Sequence, residues 1–280
     1  MNQVSPVVTT QPGVTVPGQA AIYDTGGQTG LQAPPAVWMP KPSAGSLGCP
    51  PGLEYLAQVD KLVIKEQPNI IEMVAHAEQE NVYNIFNASG QQVYRANEES
   101  DTCHRQCCRA NRGFIMHVTD NLNNEVIRMD RVFRCVSYPC FSCIGCCAHR
   151  VNVEAPVGTV IGYVKRKPSF CTPLFAIMDA DDNEVLVISG PGCICQGCHC
   201  DVDFNISSGE SDVGKIVKLA PQDLQEMFST ADTFSLNFPM NLDVKQKALL
   251  FGATFLIDFL YFELSPGRRG RGRGRYSKRR

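Results

Sequence analysis

The sequence predicts a mainly β fold, a closed antiparallel β-barrel, accompanied by one hydrophobic α-helix near the C-terminus. Three observations predict it. Apolar segments split by a polar turn recur as "VYNIFNASGQQVYRA", "FIMHVTDNLNNEVIRM" and "LFAIMDADDNEVLVIS". Two longer blocks, residues 114–167 and 174–218, repeat one order of hairpin, cysteine cluster, alternating strand and glycine-bearing strand. The stretch from Val244 to Phe262 is apolar on nearly every side. Repeated antiparallel hairpins are relieved of exposed edges when the sheet closes into a barrel. A helix apolar all round must be buried.

Taken in order, residues 1–48 are rich in Pro, Gly, Thr, Gln and Val, and Asp24 and Lys41 are their only charged side chains. No period of 2 or 3.6 persists, so a disordered arm is expected there. Structure is expected from Cys49 onward, with Lys61–Lys65 as the first strand. The hairpin turns hold Asn87/Gly90, Asp120/Asn123/Asn124 and Asp179/Asp182/Asn183, residues that tolerate a left-handed backbone. Strands then open at Val93, Val126 and Val185. Asp243 stands where an N-cap belongs, Gln246 follows three residues later, and Pro266-Gly267 ends the helix. Residues 265–280 form an Arg/Gly-rich basic tail, expected to be disordered.

Charge is unevenly spread. The net charge is −2, yet the segment from Arg268 to Arg280 supplies +8, so the remainder carries −10. Such a tail seeks anionic lipid or nucleic acid. Met1–Thr10 has no basic or apolar region of a secretory signal, so a cytosolic start is expected, where thiols stay reduced. The fourteen cysteines are then read as sites of acylation, metal binding or burial, not as a disulfide scaffold. Neither the phosphate loop G-x-x-x-x-G-K-[ST] nor the hydrolase elbow G-x-S-x-G occurs, which argues against those two enzyme classes.

The runs "CPPGLEYL", "ISGP", "CDVDF" and above all "FPMNLDVKQKALLFGATFLIDFLYFE" resemble the phospholipid scramblase family, over about 49–264. That resemblance implies a tubby-like fold, a β-barrel closed around its hydrophobic helix. It implies calcium-dependent, ATP-independent, bidirectional movement of phospholipid between leaflets, by a lipid translocator and not a conventional enzyme. It also implies palmitate on the run holding Cys140, Cys143, Cys146 and Cys147, of which the last three fall on family cysteines. Several acyl chains hold a protein to a membrane where one does so only marginally.

The family's calcium segment corresponds to Thr230–Asn241. Of three family acids this chain keeps Asp232 and has Thr230 and Asn241 in place of the others, with Asp243 just beyond. Calcium wants six to eight oxygens, so weak binding is expected. Asp243 is equally well read as the helix cap. Cys193, Cys195, Cys198 and Cys200 include one C-x-x-C pair and could hold zinc, with Cys103, Cys107 or Cys108 as further thiolates. The helix bearing Leu249, Phe251, Phe255, Ile257, Asp258 and Phe259 has two readings, a membrane span or the barrel core. A span would carry Asp258 into lipid and the basic tail across the membrane, against the usual cytosolic placement of Lys and Arg. The core reading is preferred. Three functions compete: a lipid translocator, a palmitoylated regulatory module that moves no lipid, and a zinc-binding scaffold. The expected location is the cytosolic face of the plasma membrane, and the nucleus when acylation is absent.

Overall fold

The structure is a computed structural model that describes residues 37–42, 49–68, 79–108, 111–133, 148–169, 172–194, 200–221 and 231–263. Twelve strands form one closed barrel in which each pairs antiparallel with its neighbour in sequence and β1 pairs with β12. They are β1 (Lys61–Glu66), β2 (Val82–Asn87), β3 (Gln92–Glu99), β4 (Phe114–Thr119), β5 (Glu125–Arg131), β6 (Arg150–Glu154), β7 (Val160–Arg166), β8 (Leu174–Asp179), β9 (Glu184–Ser189), β10 (Val202–Ser208), β11 (Ser211–Lys218) and β12 (Thr233–Asn237). Helix α1 (Thr102–Cys108) lies between β3 and β4, and helix α2 (Val244–Tyr261) follows β12.

The three sequence hairpins are β2–β3, β4–β5 and β8–β9, and one local device turns all of them. The side-chain oxygen of Asn87 accepts from the N–H groups of Ser89 and Gln91, at 3.0 and 2.9 Å. Asp120 does the same for Leu122 and Asn124, and Asp179 for Asp181 and Asn183. The residue three beyond each acceptor is left-handed: Gly90 at φ 77°, Asn123 at 61° and Asp182 at 61°. Side-chain capping of the turn offsets the cost of that conformation for Asn and Asp. The repeat read from sequence is β4–β7 followed by β8–β11.

Strand direction sorts the connections. Turns of a few residues join β2–β3, β4–β5, β6–β7, β8–β9 and β10–β11 at one end, here the turn end. All the long connections (67–81, 100–113, 132–149, 167–173, 190–201 and 219–232) start and finish at the other, the loop end. Thirteen of the fourteen cysteines fall in these long connections; Cys49 is the exception.

Helix α2 fills the bore. Its residues from Lys247 to Phe259 are all buried. Tyr83 on β2 packs on Phe255, Tyr94 on β3 on Phe251, Phe114 on β4 on Phe259 and Phe234 on β12 on Phe262, with ring centroids 4.1 to 6.4 Å apart. On the opposite side, Val153 of β6 sits so close to Gly252 that an added methyl would approach it to 2.9 Å. Contact from strands on every side explains apolarity on every face. At the helix start Asp243 accepts from the N–H groups of Lys245 and Gln246, so it is the N-cap that the sequence indicates. One turn on, Lys247 is fully buried and donates to the carbonyls of Leu56, Val59 and Met240, at 2.9, 2.9 and 2.8 Å. Three acceptors saturate an ammonium, which lets a lysine close the turn end. Among the described residues no helix is long and apolar enough to cross a membrane.

Structure also begins earlier than composition indicated. Residues 37–42, assigned above to the arm, include Trp38 paired parallel with Gln92 and Met39 buried in the core. The backbones of Val37, Met39 and Gln92 exchange hydrogen bonds of 2.8 Å. A short apolar run, Val37-Trp38-Met39, set between prolines carries no periodic signal, and pairing with β3 is a tertiary effect.

Candidate functional site

Charged side chains gather inside the loop end, around the last turn of α2. Arg112, just before β4, is fully buried. Its Nε and Nη2 meet the two oxygens of Glu98 at 2.7 and 3.0 Å, and Nη2 also pairs with Glu263 just past the helix. The guanidinium carbon stands 4.6 Å from the Phe259 ring centroid. Burial alone would weaken this cation's hold on its proton; Glu263 and Glu98 more than reverse that, and its pKa rises.

A second group joins β1, β2, β11, β12 and α2. The Tyr83 hydroxyl donates to Asp258 Oδ2 at 2.8 Å, and Lys218 pairs with Asp232 at 2.6 Å. Glu66 accepts from the Asp232 N–H at 2.8 Å. Burial, then the charge of Asp232, pushes the Asp258 carboxyl well above the usual carboxylate range, although Tyr83 opposes this. Glu66 rises likewise, by burial and then by the nearby Asp258 and Asp232. A third group lies across β5, β6 and β7, where Arg131, His149 and Arg166 point into the mouth. The first two groups lock the helix end into the barrel by charge and hydrogen bonding, and the third touches it through Arg166 over the Tyr261 ring.

The raised carboxyl gives a testable pH dependence. A group whose folded pKa is raised binds its proton more tightly in the folded state. Stability then falls as pH rises from the ordinary carboxylate range toward the raised value. Each unit of elevation costs about 1.4 kcal/mol once the unfolded carboxyl ionises. Asp258→Asn keeps an acceptor for Tyr83 and removes the titration. It is expected to raise stability at pH 7 by about 1 kcal/mol or more and to flatten the pH profile between 4 and 7, as read by urea unfolding. A destabilised Asp258→Asn with an unchanged profile would contradict the burial argument.

The residues singled out from sequence are placed as follows. Leu249, Phe251, Phe255, Ile257, Asp258 and Phe259 all lie in the buried helix. Asp232 is at the loop end and paired with Lys218, whereas exposed Asn241 and the cap Asp243 are at the turn end. Strand β12 separates them by roughly 17 Å, at about 3.4 Å per residue, so the structure does not bring these oxygens together. Thr230 lies outside the described residues. So do Cys140, Cys143, Cys146 and Cys147, between β5 and β6, and Cys195 and Cys198, between β9 and β10. Cys193 and Cys200 are exposed. Cys103 and Cys107, one helical turn apart on α1, have their sulfurs 4.0 Å apart. Among the described residues no three side chains of the metal-binding types converge.

A closed antiparallel barrel plugged by its own C-terminal helix, with an ionised mouth and a cysteine-bearing loop end, defines a class of β-barrel proteins in which the helix is core. The Scramblase family model matches residues 39–264. The chain is 43% identical over 232 residues to phospholipid scramblase 2 of Bos taurus, covering 82% of this chain and 77% of that protein. It is 44% identical over 228 residues to phospholipid scramblase 1 of Homo sapiens, covering 81% and 70%. With phospholipid scramblase family member 5 of Homo sapiens it shares 38% over 231 residues, covering 81% and 83%. No solved structure matches. The chain belongs to the scramblase family.

Proposed function

We propose that this chain acts at phospholipid membranes as a scramblase, moving phospholipid in both directions between leaflets without ATP. The observation that carries the reading is the family match, which spans the barrel and its helix with relatives named phospholipid scramblases. The bore is occupied by α2, so in this reading lipid moves along the outside of the protein or through bilayer that it perturbs, not through the barrel. Calcium dependence belongs to the proposal in a weak form, at millimolar concentration, since Asp232 and Asp243 are separated and ligand count sets affinity. Purified protein in vesicles bearing a fluorescent lipid tests it. With calcium, dithionite should bleach well beyond the outer leaflet's half. Protection of the inner half at every calcium concentration would overturn the reading.

Membrane attachment is proposed through palmitate on Cys140, Cys143, Cys146 and Cys147, at the cytosolic face of the plasma membrane. The support is topological: the connection that carries this run leaves β5 and enters β6 at the loop end, where α2 also ends, so acyl chains and basic tail would approach anionic lipid together. Replacing the four cysteines with Ala is expected to move most of the protein from the membrane fraction to cytosol or nucleus. Unchanged retention after carbonate extraction would count against it.

One observation favours a second reading. A bore filled on every side provides no lipid path of its own, which suits a palmitoylated regulatory module that moves no lipid. Membrane retention combined with a null vesicle assay is its signature. In either reading the tail's partner is anionic lipid, with nucleic acid as the alternative.

A further inference from the structure

Arg131 ends β5, His149 immediately precedes β6, and Arg166 ends β7, so three adjacent strands bring them to one sector of the loop-end mouth. The Arg166 N–H donates to the His149 carbonyl at 2.9 Å, which fixes that edge. Arg131 is 1% exposed, with its guanidinium over the Phe114 ring inside the barrel. Its Nη2 lies 3.1 Å from His149 Nδ1. Because arginine only donates, this nitrogen of His149 accepts and the ring proton lies on Nε2.

The remaining donors of Arg131 are the anomaly. Nε and Nη1 are buried and have no hydrogen-bond partner. The nearby carboxylates, Glu98 and Glu263, are held by Arg112. Arg166 is half-buried and contacts the Tyr261 ring, and among the described residues no carboxylate pairs with Arg131 or Arg166. Burial pulls the Arg131 pKa down to about 10, which still leaves it a cation at neutral pH. A buried cation is ordinarily paired, and its N–H groups are ordinarily bonded. Arg112 neutralises one of the two carboxylates it holds and Arg131 faces the other, so the charge left over in this sector is that of Arg166, and water could satisfy the N–H groups without compensating it. An anion with several oxygens does both.

We infer that Arg131 and Arg166, beside His149, form an anion site at the barrel mouth for a phosphate group, carried by a lipid headgroup or free in solution. Nε and Nη1 of Arg131 lie on different edges of its guanidinium, so a phosphate at either edge takes a donor from it. Arg166 marks the entrance and supplies the second charge. The site is independent of whether the protein moves lipid.

The test uses the full chain at fixed ionic strength, with inorganic phosphate compared against chloride by thermal unfolding and calorimetry. Phosphate is expected to raise the melting temperature and chloride is not. Arg131→Gln should weaken phosphate binding at least tenfold while leaving the phosphate-free melting temperature unchanged or higher, because an unpaired buried charge is removed. A purely structural arginine would instead lower that temperature and leave the phosphate response of the folded fraction intact, which would overturn the inference. If Arg131→Gln fails to fold, Arg166→Gln keeps the question open to refutation, since its half-buried side chain can reach water. A several-fold loss of phosphate affinity supports the site, and unchanged affinity overturns it. Absence of any phosphate-specific shift in the unaltered protein overturns it outright. Competition then identifies the source. Vesicles containing phosphatidic acid displace bound phosphate if the headgroup enters the mouth and leave it bound if free phosphate is the ligand; in either case the loss of binding in Arg131→Gln is what places the phosphate.

Discussion

Replacing Arg112 with Met is expected to cost about 3–5 kcal/mol of stability, because it strands one buried and one partly buried carboxylate. Glu98 is fully buried and receives both of its arginine contacts from this one side chain, and Glu263 pairs with it from beyond the helix. Loss of the cation also removes its contact with the Phe259 ring. In a domain of this size about 3–5 kcal/mol corresponds to a drop of roughly 10 °C in melting temperature. Urea unfolding measures it. Adding Glu98→Gln to the Met variant should recover part of the loss, since one stranded charge is then neutral. A single variant within about 0.5 kcal/mol of the parent, the usual range for surface positions, would mean that the mouth network is not buried as described.

Phe255→Ala is expected to cost a similar amount, about 3–5 kcal/mol, by opening a cavity in the middle of the bore. Its ring packs edge-on against Tyr83 at 4.9 Å and against Phe251 at 5.0 Å, and its burial is essentially complete. The barrel wall is fixed by hydrogen bonds around its whole circumference and cannot collapse inward to fill the space. A membrane-spanning helix would respond differently, since a lipid-facing Phe→Ala change leaves the soluble barrel unaltered. Leu122→Ala, at an exposed turn position, is the control and should shift stability by less than about 0.5 kcal/mol. Equal effects of the two changes would argue against a helix in the bore.

Much of this arrangement was legible in the chain. The hairpins were readable because Asn87, Asp120 and Asp179 with their left-handed partners encode the turn locally. The helix was readable because apolarity on all sides has few physical explanations. The barrel's closure depends on pairing of β1 with β12, residues 61–66 with 233–237, and no local pattern reports such a distant contact. The mouth network was missed for a different reason. Arg112, Phe114 and Met116 share one parity, as do Met129 and Arg131, and Ala96 and Glu98, and in each set the apolar member faces inward. Charged residues in phase with a buried face were therefore visible as exceptions. Their partners were not, because pairing across the bore depends on where α2 ends. The calcium segment shows the converse. Asp232, Asn241 and Asp243 lie close in sequence, yet β12 leaves Asp232 at the loop end and carries the chain to Asn241 and Asp243 at the turn end.

The location of α2 is the claim on which the rest depends, and the side of the membrane reached by the C-terminus tests it most directly. An epitope placed after Arg280 in intact cells is read by antibody before and after permeabilisation. With α2 as the barrel's core, no label is expected until the membrane is opened, and the membrane-bound and soluble forms behave alike. Labelling of unpermeabilised cells would show that residues 244–261 cross the bilayer, and would contradict a barrel filled by its own helix.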